Sequence, residues 1–138
     1  MNTQTPPPRR SEGSSGLEFA LDSVPSAGSA ARRQLDGLAG PLSALSFDEL
    51  RIVVTELVNN SVRHGSGGPI TVAVEVTPDG KTRGTVGDGG RGPVEIVAPR
   101  DLGDGGLGLR IVDALAAHWG VNAPSSDVWF ELAPVSVS

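Results

Sequence analysis

Residues 46–65 of the chain read SFDELRIVVTELVNNSVRHG and carry its strongest helical signal. Residues 46–49 have the form of a capping box, in which serine and glutamate satisfy free amide protons at a helix start. Arg63 and His64 suit the negative end of the helix dipole, and Gly65 predicts a left-handed stop. Apolar residues recur at helical spacing between these two ends: Leu50, Val53, Val54, Leu57 and Val58.

Three polar residues of this helix, Glu56, Asn60 and His64, follow one another at four-residue intervals. They therefore lie along one stripe at the margin of the apolar face, where a ligand can reach them. A carboxylate can accept a proton from a hydroxyl, and an amide oxygen one turn later can bind Mg²⁺. Taken alone, the stripe is more often a solvated helix edge.

The remaining pattern predicts strands and two further helices. A turn signal, Pro78-Asp79-Gly80, separates two predicted strands at 70–76 and 81–86. The predicted segments are a strand at 17–22, a helix at 25–38, strands at 70–76 and 81–86, a helix from 105 that ends at Gly120, and a strand at 128–132.

The ends of the chain differ in composition from its middle. Residues 1–16 contain no apolar side chain after Met1, so we expect a disordered tail there. Residues 17–132 are long enough for one sheet covered by helices, and 133–138 form a short C-terminal tail.

Composition excludes several classes of function. The chain has 138 residues and no cysteine, which excludes disulfides, Cys-ligated zinc and thiol catalysis. Its net charge of -5 argues against nonspecific nucleic-acid binding. It has neither the apolar region of a signal peptide nor a run of membrane-spanning length. We therefore expect a cytoplasmic protein without direct nucleic-acid or membrane partners.

Two glycine-rich loops follow the central helix. In residues 86–92, VGDGGRG, Asp88 stands at a strand end, where its carboxylate can meet an amino group such as that of adenine. In residues 105–109, GGLGL, glycines lead into a helix whose free amides can bind phosphate. Alone, the first loop is more simply a turn and the second a glycine-rich loop without function.

Neither loop is a dinucleotide fingerprint, although 87–92 and 103–108 both fit G-x-G-x-x-G. That fingerprint requires a strand, the glycines and a helix in direct succession. The first copy lacks the helix, because Pro93 and a β-like run follow it. The second copy lacks the preceding strand.

Together, Glu56 to Gly65, the loop at 88–92 and Gly106-Leu107-Gly108-Leu109 resemble the Bergerat-fold (GHKL) ATPases. These include histidine kinases, gyrase-type and chaperone ATPases, and bacterial anti-sigma-factor serine kinases. The resemblance covers about 17–132 and is strongest to the short stand-alone anti-sigma type. It implies an α/β (α+β) sandwich with a mixed, mostly antiparallel sheet and helices on one face.

The resemblance also implies roles for the polar stripe. Glu56 would be the catalytic base, Asn60 the ligand of Mg²⁺, and His64 a neighbour of the phosphates of ATP.

The same resemblance assigns the two glycine-rich loops to the nucleotide. Asp88 would bind adenine, Gly90 and Gly92 would floor its pocket, and 94–105 would form a short lid. The phosphates would be held by the segment of Gly106, Leu107, Gly108 and Leu109. The family often has threonine just before the last strand, near the base, whereas this chain has Asp127, a departure that bears on purine contact at that position.

Three functions are compatible with the resemblance. The first is a serine/threonine kinase that restrains a sigma factor and phosphorylates an anti-anti-sigma protein, with a homodimer compatible with the family. The second is a nucleotide-dependent binding module without catalysis. The third is a detached histidine-kinase catalytic domain, which ranks last because no phosphoacceptor region is present.

Two adjacent arginines, Arg32 and Arg33, lie on the first predicted helix. They are either a contact for an acidic partner or, more commonly, a solvated pair.

Overall fold

The computed structural model describes residues 15–90, 107–122, 125 and 127–135. A single turn of 3-10 helix, Leu35–Leu38, extends the first α-helix. The elements are β1 (Ser15–Leu21), α1 (Ala27–Gln34), α2 (Ala44–His64), β2 (Ile70–Val76), β3 (Thr82–Gly87), α3 (Leu107–Leu115), β4 (His118–Val121) and β5 (Val128–Leu132).

The five strands form one sheet in the order β1-β2-β3-β5-β4. Every pair of neighbouring strands in the described part of the chain is antiparallel, with Val72 opposite Val86 in the centre. The predicted α+β sandwich is therefore confirmed, with a sheet that is antiparallel at each described pairing.

The core lies between the sheet and the helices. In β2, alternate residues from Ile70 to Val76 are buried, while Thr71 between them is exposed. The helices contribute Leu50, Val54 and Leu57 of α2 to the same apolar cluster. Because side chains alternate along a strand, this pattern places the helices on one face of the sheet. No helix in the described ranges is long and apolar enough to cross a membrane.

The start of α2 differs from the predicted capping box. The N-cap is Ser43, whose Oγ accepts the backbone N–H of Ser46 at 3.1 Å. Ser46 instead uses its own hydroxyl to accept the backbone N–H of Val135 at 2.9 Å. The sequence placed Val135 in the C-terminal tail, but this hydrogen bond ties the segment after β5 to the start of α2.

The end of α2 requires glycine for a different reason from the predicted one. Gly65 caps the helix in an extended conformation, with φ -85° and ψ -169°, so the predicted left-handed stop is wrong. A Cβ at this position would lie 2.5 Å from the carbonyl oxygen of Ser61 and would overlap Oδ2 of Asp88. Gly65 is therefore required by space rather than by backbone conformation.

The predicted end of the last helix at Gly120 is wrong as well. α3 ends at Leu115, and Gly120 lies inside β4, opposite Trp129 of β5. A Cβ on Gly120 would lie 3.0 Å from Nε1 of Trp129, so the indole packs over the glycine. The short strand escaped prediction because its four residues, HWGV, are too few to show a period.

Candidate functional site

The polar stripe of α2 lies at the border of the core, as the spacing predicts. Glu56 and Asn60 are half-buried and one turn apart. Neither side chain forms a hydrogen bond or ion pair with any residue in the described ranges. Within the part of the chain that the structure describes, an unpaired carboxylate and an unpaired amide therefore lie one turn apart on α2.

The structure distinguishes Asn60 from its neighbour Asn59. Oδ1 of Asn59 lies only 2.6 Å from the point where a Cβ on Gly28 of α1 would stand. The Asn59 amide is thus packed against α1 and Asn60 points along a different side of α2. His64 is the last residue of α2 and is exposed, so it is free to approach a ligand beside Asn60.

The carboxylate of Asp88, at the end of β3, is held by two backbone groups. Its Oδ2 accepts the N–H of Ser66 at 2.6 Å, and its Oδ1 accepts the N–H of Gly90 at 2.9 Å. The sequence predicts adenine as the partner of Asp88 and gives no sign of Ser66, which lies 22 positions earlier in the chain. An ionised carboxylate has about four lone-pair sites, so each oxygen keeps capacity for a further donor.

The surroundings of Asp88 favour its ionised form. Partial burial raises the pKa of the carboxyl group. Hydrogen bonds from the backbone of Gly90 and Ser66 and from the Ser66 side chain together lower this pKa by more than burial raises it. The net result is a pKa below the ordinary value, so Asp88 is a carboxylate at neutral pH. In that state it acts only as a hydrogen-bond acceptor, as recognition of an amino group requires.

Glycine at position 90 is required by its neighbours. A Cβ there would lie 2.9 Å from Oδ1 of Asp88 and 3.2 Å from Cβ of Ser66. Glycine at this position therefore lets the loop pack closely against Asp88 and Ser66, while its role as a pocket floor stays a prediction.

A second carboxylate, that of Asp127, braces the same loop from the side of β5. Its Oδ1 accepts the N–H of Gly89 at 3.0 Å, and any Cβ on Gly87 would overlap it. The sequence marks Asp127 only as a departure from threonine near the base. The structure shows that this residue holds the backbone between Gly87 and Gly89.

The second glycine-rich loop, at 105–109, is described only in part. Leu107–Leu115 form α3, which packs against α2, and the side chain of Leu109 is buried in the core. Since leucine and glycine carry no polar side-chain atoms, any phosphate contact at Leu107, Gly108 or Leu109 would rest on backbone N–H groups at the start of α3. Gly92, Gly106 and the predicted lid at 94–105 lie outside the described residues.

The donor set fits Mg-ATP better than a metal held by protein alone. Within the described residues, no three His, Asp or Glu side chains lie together as a metal site. Mg²⁺ commonly takes one or two protein oxygens and completes its shell with phosphate oxygens and water. The amide of Asn60, unpaired among the described residues, suits such a site, and Asp88 suits a purine amino group.

Comparisons with known proteins bear on the fold and on the family of the chain. No curated protein matches the chain at a significant level. The fold is similar to that in the crystal structure of the RsbU and RsbW domains of Rv1364c from Mycobacterium tuberculosis, with a TM-score of 0.61 and 22% identity. The match covers 86% of this chain and 31% of that chain, so this chain spans less than a third of its length.

The family model of the histidine kinase-like ATPase domain matches residues 19–130, which include α2, the Asp88 loop and β5 up to Phe130. This match covers most of the chain and both described parts of the site. The chain therefore belongs to the histidine kinase-like ATPase domain family.

Proposed function

We propose that this chain binds Mg-ATP at the edge of α2 and acts in the cytoplasm as a serine/threonine protein kinase on an anti-anti-sigma partner, while also restraining a sigma factor. The observation that carries the proposal is the pair Glu56 and Asn60, half-buried, one turn apart and unpaired among the described residues. Membership of the ATPase family and the fold shared with a protein that contains an RsbW domain support it.

Each part of the site has a distinct task in this proposal. The Asp88 carboxylate accepts the amino group of adenine, while Ser66 and Gly90 fix its orientation. Backbone N–H groups at the start of α3 bind phosphate oxygens. Asn60 offers its amide oxygen to Mg²⁺. The bound metal would neutralise part of the negative charge of the phosphates.

Glu56 is the residue that would make the site a kinase. Its carboxylate accepts the proton of a substrate serine as the serine oxygen bonds to the terminal phosphorus and ADP leaves. A carboxylate already paired within the protein could not take that proton readily. The absence of a described partner for Glu56 therefore favours catalysis over a structural role.

The test is phosphoryl transfer by Glu56→Gln, with Glu49→Gln as its control. Glu49 lies seven residues earlier, about two helical turns, so it shares the same side of α2. Glu56→Gln keeps shape and hydrogen bonding, so ATP binding and the melting temperature should be unchanged. Transfer to a serine-bearing anti-anti-sigma protein should fall by roughly 10²- to 10⁴-fold, while Glu49→Gln retains it.

The same experiment decides between the kinase and a nucleotide-dependent binding module. If wild type transfers no phosphate to any such partner, yet binds a sigma factor only with nucleotide present, the module is correct. Equal transfer by wild type and Glu56→Gln would remove Glu56 from the mechanism.

A further inference from the structure

A basic depression lies between α1 and α2, on the side of α2 that carries Arg51. Its volume is about 340 Å³, and it is open to solvent. Three guanidinium groups and one carboxylate line it together with a serine: Arg32, Arg33, Arg51, Asp36 and Ser29. We call this depression the arginine pocket.

Close packing of the two helices brings these residues together. A Cβ on Gly28 would lie 3.3 Å from Cγ2 of Thr55 and 2.6 Å from Oδ1 of Asn59, so glycine lets α1 approach α2 closely. Arg51 lies one helical turn before Thr55 on the same side of α2. The fold therefore adds a third arginine to the pair that is adjacent in sequence.

Arg51 packs on an aromatic ring and has no counter-ion among the described residues. Its guanidinium carbon lies 5.5 Å from the centre of the Phe47 ring, a cation–π distance. Its Nε is buried and has no hydrogen-bond acceptor in the described ranges. Among the described residues, none of the three pocket arginines forms an ion pair, whereas Arg83 pairs with Glu131 on the sheet.

We propose that the arginine pocket is a docking site for an acidic segment of a partner protein, whose carboxylates pair with these guanidinium groups. The planar fork of arginine matches a carboxylate with two parallel hydrogen bonds. With one aspartate against three arginines, the lining carries a net positive charge on a chain whose net charge is -5. The local field is thus opposite in sign to that of the molecule.

Features around the pocket favour a protein over a free anion or a nucleic acid. Ile52, the residue after Arg51, leaves 43% of its surface exposed, and Leu45 leaves 46% exposed on the same helix. Apolar groups beside arginine are typical of protein interfaces. The overall negative charge of the chain repels nucleic acid.

The inference does not rest on the proposed kinase activity, because none of the pocket residues belongs to the nucleotide site. Arg51 precedes Glu56 by five residues, or about 7.5 Å along the helix axis. Those five residues also turn the helix by roughly 140°, so a partner seated on the pocket would lie on a different side of α2 from the polar stripe.

The test is fluorescence anisotropy with a labelled peptide of alternating glutamate and leucine, and with its glutamine counterpart. Wild type should bind the glutamate peptide and not the glutamine peptide. Arg32→Gln and Arg51→Met should each weaken binding about tenfold, because each removes charge-assisted hydrogen bonds. Lys81→Gln removes the same unit charge from the β2–β3 turn and should leave binding unchanged.

Two controls keep the outcomes distinct. Arg32 is exposed, so Arg32→Gln should melt like wild type even if Arg51→Met loses its packing on Phe47. Equal weakening by Lys81→Gln, or equal binding of the two peptides, would overturn the proposal. Displacement of the peptide by inorganic phosphate at lower concentration than by free peptide would overturn it too, since the pocket would then be a phosphate-type anion site.

Discussion

Ser66 donates its backbone N–H to Oδ2 of Asp88 at 2.6 Å, and so links the end of α2 to the end of β3. The other carboxylate oxygen accepts the N–H of Gly90. Asp88 is thus fixed by the backbone on both sides before any ligand arrives. A pre-oriented acceptor loses less conformational entropy on binding than a mobile one.

This arrangement predicts how the loop responds to acid. The folded state lowers the pKa of Asp88 below its ordinary value of 3.8, so its contribution is complete above that pH and is lost as the pH falls below it. In an acid titration by NMR, the amide signals of Ser66 and Gly90 should therefore shift together, with a common midpoint below 3.8. Separate midpoints, or a common one above 3.8, would contradict the clamp.

Asp88→Asn should weaken ATP binding by about tenfold or more. A hydrogen bond to a charged group is worth about 1.5–3 kcal/mol, and the asparagine amide also presents a donor toward one of the backbone N–H groups. Calorimetric titration with ATP measures the loss.

The control for that titration is Asp48→Asn, which removes one exposed carboxylate from the opposite end of α2. It should bind ATP like wild type. Because Asp88 also holds backbone, the melting temperature must be followed in parallel. Wild-type affinity in folded Asp88→Asn would eliminate adenine recognition by this residue.

Gly65→Ala should disturb the site, whereas Gly68→Ala should not. The new Cβ at 65 would collide with Ser61 and Asp88, and such overpacking typically costs about 1–3 kcal/mol. At 68 the nearest atom is Oγ of Ser66 at 3.6 Å, an ordinary contact, so a change within about 0.5 kcal/mol is expected. Urea denaturation compares the two variants, and equal stabilities would show that Gly65 is not required by space.

Gly65 also shows what the sequence could and could not provide. Its position as the helix stop was evident, because apolar periodicity ends there and basic residues precede it. The predicted reason for glycine at this position was wrong. The local pattern predicts a left-handed turn, whereas the true constraint comes from Asp88, far along the chain. The strands β2 and β5 agree with their predicted bounds because each is a strong β-forming run between clear turn signals.

The site was predictable to the extent that it lies on one helix. Spacing alone places Glu56 and Asn60 at the margin of the core, where both are half-buried. Contacts that join distant segments were not predictable in the same way. Ser66 and Asp127 hold the Asp88 loop through backbone N–H groups, which leave no mark in a sequence. Arg51 joins Arg32 and Arg33 only because Gly28 allows the helices to pack closely.

The most direct test of the central claim is the magnesium dependence of ATP binding in Asn60→Ala, measured by calorimetry with Mg²⁺ and with EDTA. Alanine is the better helix former, so α2 should remain intact. Asn59→Ala is the matched control, because its amide packs against Gly28 instead. We expect wild type and Asn59→Ala to bind ATP more tightly with Mg²⁺, and Asn60→Ala to bind it equally in both conditions. Tighter binding with Mg²⁺ in Asn60→Ala, or no ATP binding by wild type, would contradict the account.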